Sequence, residues 1–214
     1  MEINRLLSDP DNVEIVRDQV AGILALELEN QYNLALEDED LKKPEDYKVK
    51  VYIENDEPWA VQDEENPFPA INVSFDHYTI DTDDGSKDRI INALYYIDCY
   101  TSGNYDGEGL AGRVAKIKSM KVARLVRNIL QAANYRYLKL RGIVNSQSIT
   151  ECNSGVIKDP AGAVKVGVQR IKLEVELFED SPQIERDNLE IMDFTCRTTT
   201  GEVLLNIDEE YEEE

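Results

Sequence analysis

Cysteine, histidine and tryptophan are scarce in this chain, and each scarcity closes off some chemistry. The three cysteines, Cys99, Cys152 and Cys196, are scattered, odd in number and never spaced as CxxC. Neither a disulfide framework nor a zinc site follows from such spacing. The pattern fits a reducing cytosol or an assembled particle. His77 is the single histidine, and the sequence points to no nucleophile for it to activate. Long apolar runs are missing too. The most apolar stretch, AGILALEL, already holds Glu27 and falls far short of the ~20 residues that span a bilayer. The opening residues, MEINRLLSDPDN, have neither a basic start nor an apolar core, so no signal peptide is expected. Positive charge is the last shortage. Lys and Arg number 23 against 44 Asp and Glu, a formal net charge of −21 and a pI near 4.4. Free DNA or an anionic membrane is therefore a poor partner for the surface as a whole.

What is present reads as a soluble α+β protein. The chain of 214 residues is 42% hydrophobic and 31% charged, enough to bury a core without metals or staples. Val13, Val16, Val20, Ile23, Leu24 and Leu28 recur at three- and four-residue steps, which predicts a helix from about Asn12 to Ala35 with Asp9 and Asp11 as candidate caps. KVKVYIE alternates Val49, Val51 and Ile53 as a strand does. PAINVSFDHYTI places Ile71, Val73, Phe75 and His77 on one face. RIINALYYIDCYTSG is apolar on both faces and belongs in the middle of a sheet. A long helix follows, EGLAGRVAKIKSMKVARLVRNILQAANYRYL, with an apolar stripe of Leu110, Val114, Ile117, Val122, Leu125, Val126, Ile129 and Ala133.

The last third is β-rich: GIVNSQSIT, AVKVGVQRIKLEVELF, NLEIMDFTCRTT and EVLLNI. In the second of these Val164, Val166 and Val168 share one phase, and Ile171, Leu173, Val175 and Leu177 the other. The slip at Gln169–Arg170 resembles a β-bulge. Such a strand would reach about 50 Å if straight. It either bends or projects as a hairpin arm around residues 160–200. The expected architecture is a mixed or antiparallel sheet packed against two helices, in a single domain over residues 1–207. Residues 208–214 form an acidic tail too polar to order itself.

Few residues make a case for chemistry. Gly107–Gly112 matches GxGxxG between a strand and a helix, but Asp106 and Glu108 would repel a pyrophosphate, and the second strand of a dinucleotide fold is replaced by helix. It reads as a turn with Asp106 as helix cap. Asn104–Gly109 begins like a calcium loop, yet Ala115 stands where the bidentate Glu belongs. Asp81, Asp83, Asp84 and Asp88 crowd one turn and read as a solvated loop tip rather than a metal site. His77 reads as a histidine at the core edge or an interface, and the cysteines as small core residues. No catalytic residue, cofactor or metal is expected, and the chain is not expected to be an enzyme. Trp59, in the proline-bounded loop DEPWAVQDEENPFP, either caps the core or docks on another chain.

The long helix carries the most informative charge. Arg113, Lys116, Lys118, Lys121, Arg124 and Arg127 line its polar faces, with Arg136, Lys139 and Arg141 beyond its end. In so acidic a chain this face has three readings: a solvated surface, a contact with an acidic face of the next subunit, or a nucleic-acid surface. The subunit contact is favoured, because opposite-sign faces on one chain suit head-to-tail association. Arg113, Lys116, Lys121, Arg124, Arg127 and Trp59 are the candidate interface residues.

The run KVKVYIE, PAINVSFDHYTI, NALYYIDCYTSG and GLAGRVAKIKSMKVARLVRNIL, a helix-led strand set ending in Tyr-Ile-Asp-x-Tyr, a Gly-containing loop and a long helix, resembles the tail-terminator and head–tail completion proteins of tailed bacteriophages. The resemblance spans about Val13 to Phe178. Strand-forming sequence beyond Asp187 and the acidic tail depart from the family's pattern. The resemblance implies a virion structural protein at the head–tail junction, found in host cytoplasm during assembly. It implies a homo-oligomeric ring, a hexamer, that caps the tail tube and docks the head connector, with DNA only as cargo through its channel. Two rival expectations are a non-enzymatic protein-binding module, acting as a monomer or dimer through the sheet face and the Trp59 loop, and an acidic enzyme holding a metal at Asp81, Asp83 and Asp84.

Overall fold

The computed structural model describes residues 10–38, 44–55, 69–80, 89–103, 111–158, 165–179, 194–197 and 203–207. Backbone contacts divide the chain into two compact units, Leu6–Asp180 and a second made of Met1–Arg5 with Ser181–Glu214. Each is described by itself.

The larger unit opens with helix α1 (Asn12–Glu37). Asp11 sets its start: the Asp11 N–H donates to the Glu14 carboxylate at 3.1 Å, and the Asp11 carbonyl accepts the first helical bond from Ile15. The expected stripe of Val13, Val16, Val20, Ile23, Leu24 and Leu28 is buried. A short 3-10 helix (Pro44–Tyr47) leads to strand β1 (Lys50–Ile53). Strands β2 (Ala70–Ile80) and β3 (Arg89–Gly103) precede helix α2 (Ala111–Leu130), and β4 (Val144–Lys158) and β5 (Lys165–Glu179) complete the unit.

The sheet order is β1-β2-β3-β5-β4, with β1 parallel to β2 and every other neighbour antiparallel. The fold class is α+β, with both helices packed on the sheet. Strand β3 lies at its centre, as expected, paired with β2 on one side and β5 on the other. Helices α1 and α2 share one face. The Tyr95 hydroxyl donates to the Val13 carbonyl of α1 at 2.9 Å, and the Thr101 hydroxyl, in the same phase of β3, donates to the Ala115 carbonyl of α2 at 2.6 Å. Between them sit Ile71, Val73, Ile97, Ile171, Leu173 and Leu177, none with measurable exposure. Each such side chain contributes about 1.5–3 kcal/mol by leaving water.

Four expectations change. Strand β5 has no bulge at Gln169–Arg170; its register with β3 runs unbroken from Lys165 to Glu179. The apolar residues change phase because the covered face changes along the strand. Ile171 to Leu177 meet the helices, while Val166 and Val168 join Tyr52, Ala70, Tyr100 and Ile157 in a small cluster on the other face. Strand β5 lies between β3 and β4 for its whole length, so it is not itself a free arm. Register breaks lie instead in β4, between Val144 and Ser146 and between Ile149 and Glu151, and in β2, where a bulge sits between Phe75 and His77. It pairs His77 with Leu94, away from the helices, and returns Tyr78 to the side of Phe75, whose ring it approaches at 6.3 Å. Helix α2 ends at Leu130, not near Leu138. The chain then turns through a 3-10 turn (Ala133–Tyr135) and two left-handed residues, Leu138 and Lys139. That reversal lets Leu138 fill the core with no exposure.

In the second unit, β6 (Phe194–Arg197) and β7 (Val203–Ile207) form an antiparallel pair. Residues 208–214 lie outside the described residues.

Candidate subunit interface

Small residues fix which side of α2 faces outward. Ala111, Ala115 and Ser119 form the first half of its buried line, followed by Val122, Ala123, Val126, Ile129 and Leu130. Ala111 and Ala115 meet Gly103 on β3, and Ala115 meets Gly167 on β5. A Cβ on Gly167 would stand 2.5 Å from the Ala115 carbonyl carbon and 2.6 Å from its oxygen. The helix backbone therefore rests on the sheet backbone, and the Thr101–Ala115 hydrogen bond pins it there.

This seating corrects the expected stripe. Ile117, part of the expected apolar stripe, is 47% exposed, and Met120 beside it is 55% exposed. Val114 and Leu125 are half-buried flanks. The close approach of Ala111, Ala115 and Ser119 turns the helix so that Ile117 points away from the sheet. Around it stand Arg113, Lys116, Lys121 and Arg124, all exposed. Among the described residues none of these four forms an ion pair. Arg127 is half-buried, and its Nε–H has no hydrogen-bond partner among the described residues. The outward face of α2 thus combines exposed apolar side chains with cations that form no ion pair among the described residues. Met and Arg are the residue types enriched where proteins meet one another.

The cations past the helix end behave differently. Arg136 and Arg141 lie over the Tyr137 ring at 5.3 and 6.0 Å, and Lys139 lies over Tyr135 at 5.1 Å. They line a surface pocket of about 540 Å3 formed by the turn from Ala133 to Arg141. The Tyr135 hydroxyl also donates to the Glu27 carboxylate, tying the turn to α1.

Sequence reasoning missed a polar cluster on the face of the sheet opposite α1 and α2. Arg170 binds Asp98 through two hydrogen bonds, Nε at 2.8 Å and a terminal nitrogen at 2.7 Å. The Tyr100 hydroxyl donates to Asp98 at 3.1 Å, and the Arg170 guanidinium covers the Tyr96 ring at 4.6 Å. Asp98 is buried, and its carboxylate holds the Arg170 guanidinium protonated beyond its usual range. Burial, with Asp98 adding to it, pushes the Tyr100 phenol up. The signal was the alternation Tyr96, Asp98, Tyr100, which puts three polar tips on one face.

The remaining sequence candidates resolve as follows. His77 is exposed, with Nδ1 2.8 Å from the Asp76 carboxylate. Cys99 is fully buried, which pushes its thiol well up, and Cys152 is exposed. Trp59, the Asp81–Asp88 turn and the GxGxxG residues before Ala111 lie outside the described residues. Among the described residues no group of three or more His, Cys, Asp or Glu is placed to hold a metal. No helix among them is long and apolar enough to cross a membrane.

No family model and no curated protein matches the chain. Among solved structures it is similar to a chain from the virion of a native gene transfer agent particle. The two share 12% identity with a TM-score of 0.35, over 69% of this chain and 92% of that one. At that distance the likeness carries no argument about role.

Proposed function

We propose that this chain is a non-enzymatic virion structural protein of a phage-like particle, a tail-terminator-like subunit whose copies form a ring at the head–tail junction. The ring, of about six copies closed by head-to-tail contacts, caps the tail tube and docks the head connector. The observation that carries the reading is the outward face of α2. There Ile117 and Met120 are exposed among four cations that have no ion-pair partner among the described residues, in a chain of net charge −21. Two large apolar side chains exposed one turn apart among cations suit a subunit contact better than a solvated face. The resemblance of the strand–helix run to tail terminators supports the place in the particle. DNA is cargo only: acidic channel walls repel its phosphates and keep it from sticking. Assembly takes place in host cytoplasm.

The competing reading is a monomeric or dimeric protein-binding module. The Asp98–Arg170–Tyr96 cluster, whose Arg170 is half exposed on the face of the sheet opposite the two helices, is the observation that favours it. Light-scattering mass after size exclusion, with negative-stain images, separates the two. The ring reading expects closed particles that Lys121→Glu with Arg124→Glu dissociates while the circular dichroism spectrum is unchanged. A ring indifferent to those reversals removes α2 from the contact.

A further inference from the structure

Away from its buried stripe, α1 presents small residues bounded by acids. Gly22 stands near the middle of this 26-residue helix, and a Cβ there would meet nothing within 4 Å. Glycine destabilises a helix interior relative to alanine, and the packing of the described residues gives no reason for it. Ala25, one turn on, is exposed as well, and so are Asp18 and Glu29 on either side of the pair. Among the described residues Glu29 forms no ion pair, and Asp18 meets only its neighbour Arg17. Leu26, 50% exposed, adds apolar surface beside them. This face is the inverse of the α2 face: acidic where that is basic, and hollow where that carries Ile117 and Met120.

The spacings match as well. Asp18, Gly22, Ala25 and Glu29 follow one another by steps of four, three and four, and so do Arg113, Ile117, Met120 and Arg124. Such steps keep each set of residues on one side of its helix. Laid face to face, the two large apolar side chains of α2 meet the two small residues of α1, and each outer arginine meets an acid. The spacing reads the same in both directions, so the next residues along decide between them. An antiparallel pairing brings Arg124 to Asp18, Met120 to Gly22, Ile117 to Ala25 and Arg113 to Glu29. It then carries Arg127 to the turn that holds the exposed Glu14. A parallel pairing carries Arg127 to Tyr32 and Asn33, where there is no acid.

We infer that the occupant of the α2 face is α1 of a second copy of this chain, packed antiparallel with Met120 and Ile117 seated over Gly22 and Ala25. The inference rests on the assembly reading above and deepens it by naming the partner surface. Each copy carries one face of each kind, so every contact uses α1 of one copy and α2 of another.

Charge exchange tests it. One variant carries Asp18→Arg and Glu29→Arg, the other Arg113→Glu and Arg124→Glu; all four sites are surface positions, and circular dichroism checks the fold. Each variant alone is expected to raise the concentration of half-association at least about ten-fold, since like charges then face each other. An equimolar mixture restores assembly. Within one chain, Asp18→Arg is rescued by Arg124→Asp and not by Arg113→Asp, which reads the antiparallel direction; the opposite rescue overturns that direction. Gly22→Leu weakens assembly, although the dissociated chain melts higher. Loss of assembly on reversing α2 but not α1 overturns this pairing and leaves the assembly reading standing. Association as a simple dimer that obeys the charge exchange upholds the pairing and overturns the ring. A wild-type chain monomeric throughout, or assembly indifferent to both reversals, overturns both.

Discussion

Gly167→Ala tests the seating of α2, on which the outward face depends. The added Cβ would stand 2.5 Å from the carbonyl carbon of Ala115, 2.6 Å from its oxygen and 2.8 Å from the Lys116 nitrogen. Ordinary carbon contacts lie at about 3.5–4.0 Å, so the helix must lift by about 1 Å. All three opposing atoms are backbone, and none can swing aside. Overpacking of this kind costs about 1–3 kcal/mol. Lifting also stretches the 2.6 Å bond from Thr101 to the Ala115 carbonyl, worth a further ~1 kcal/mol. Against this, alanine restricts the unfolded chain and returns about 0.4–1 kcal/mol. The net expectation is a loss of about 2 kcal/mol. With a urea dependence of about 2 kcal/mol per molar, the unfolding midpoint falls by about 1 M, read by circular dichroism. Gly103→Ala should lose more, because its Cβ would meet the Ala111 carbonyl oxygen closer still. An unchanged or raised midpoint for Gly167→Ala would refute the backbone-to-backbone seating, and with it the assigned direction of Ile117.

Two further stability predictions follow from the buried polar groups. Arg170→Ala leaves the buried Asp98 carboxylate with the Tyr100 hydroxyl but without its cation. Because Arg170 is half exposed, the loss is discounted to about 2 kcal/mol from the value for a fully buried pair, and Arg170→Ala with Asp98→Asn should recover part of it; equal midpoints for wild type and Arg170→Ala would show that the pair contributes nothing. Alkaline stability reads the tyrosines. Burial raises the Tyr95 phenol, and the Asp11 charge adds to the shift; burial and Asp98 raise Tyr100. Above the unfolded value of about 10 the unfolded chain binds fewer protons than the native one, so stability present below pH ~10 falls as pH rises further. Tyr95→Phe should flatten that fall, at the cost of the hydrogen bond to Val13. A wild-type stability that is level from pH 9 to 11 would contradict the burial of both phenols.

The elements were legible where periodicity was strong. The α1 stripe and the central place of β3 follow directly from three- and four-residue spacing and from a strand apolar on both sides. The errors share one cause, which is that contact between elements decides face and phase. Ile117 sits at a proper helical spacing from Val114, yet Gly103 and Gly167, distant in sequence, draw the Ala111–Ala115–Ser119 line to the sheet instead. The apparent slip in β5 came from a change in which face is covered, which one strand cannot reveal. The extra residue at Asp76 displaced His77 from its predicted side because register belongs to the pair β2–β3 and not to β2. The cations of the interface were readable as charges, but the absence of ion-pair partners for them among the described residues, and the exposure of Ile117 and Met120 among them, needed the fold. The Asp98–Arg170 pair joins residues 72 apart in sequence and had only the Tyr-Ile-Asp-x-Tyr alternation to announce it.

The central claim is that copies of this chain assemble through the outward face of α2. Light-scattering mass after size exclusion, for wild type beside Arg113→Glu with Arg124→Glu, tests it most directly. The account predicts a closed assembly of about six copies for wild type and a folded, dissociated chain for the variant. Identical masses for the two would contradict it.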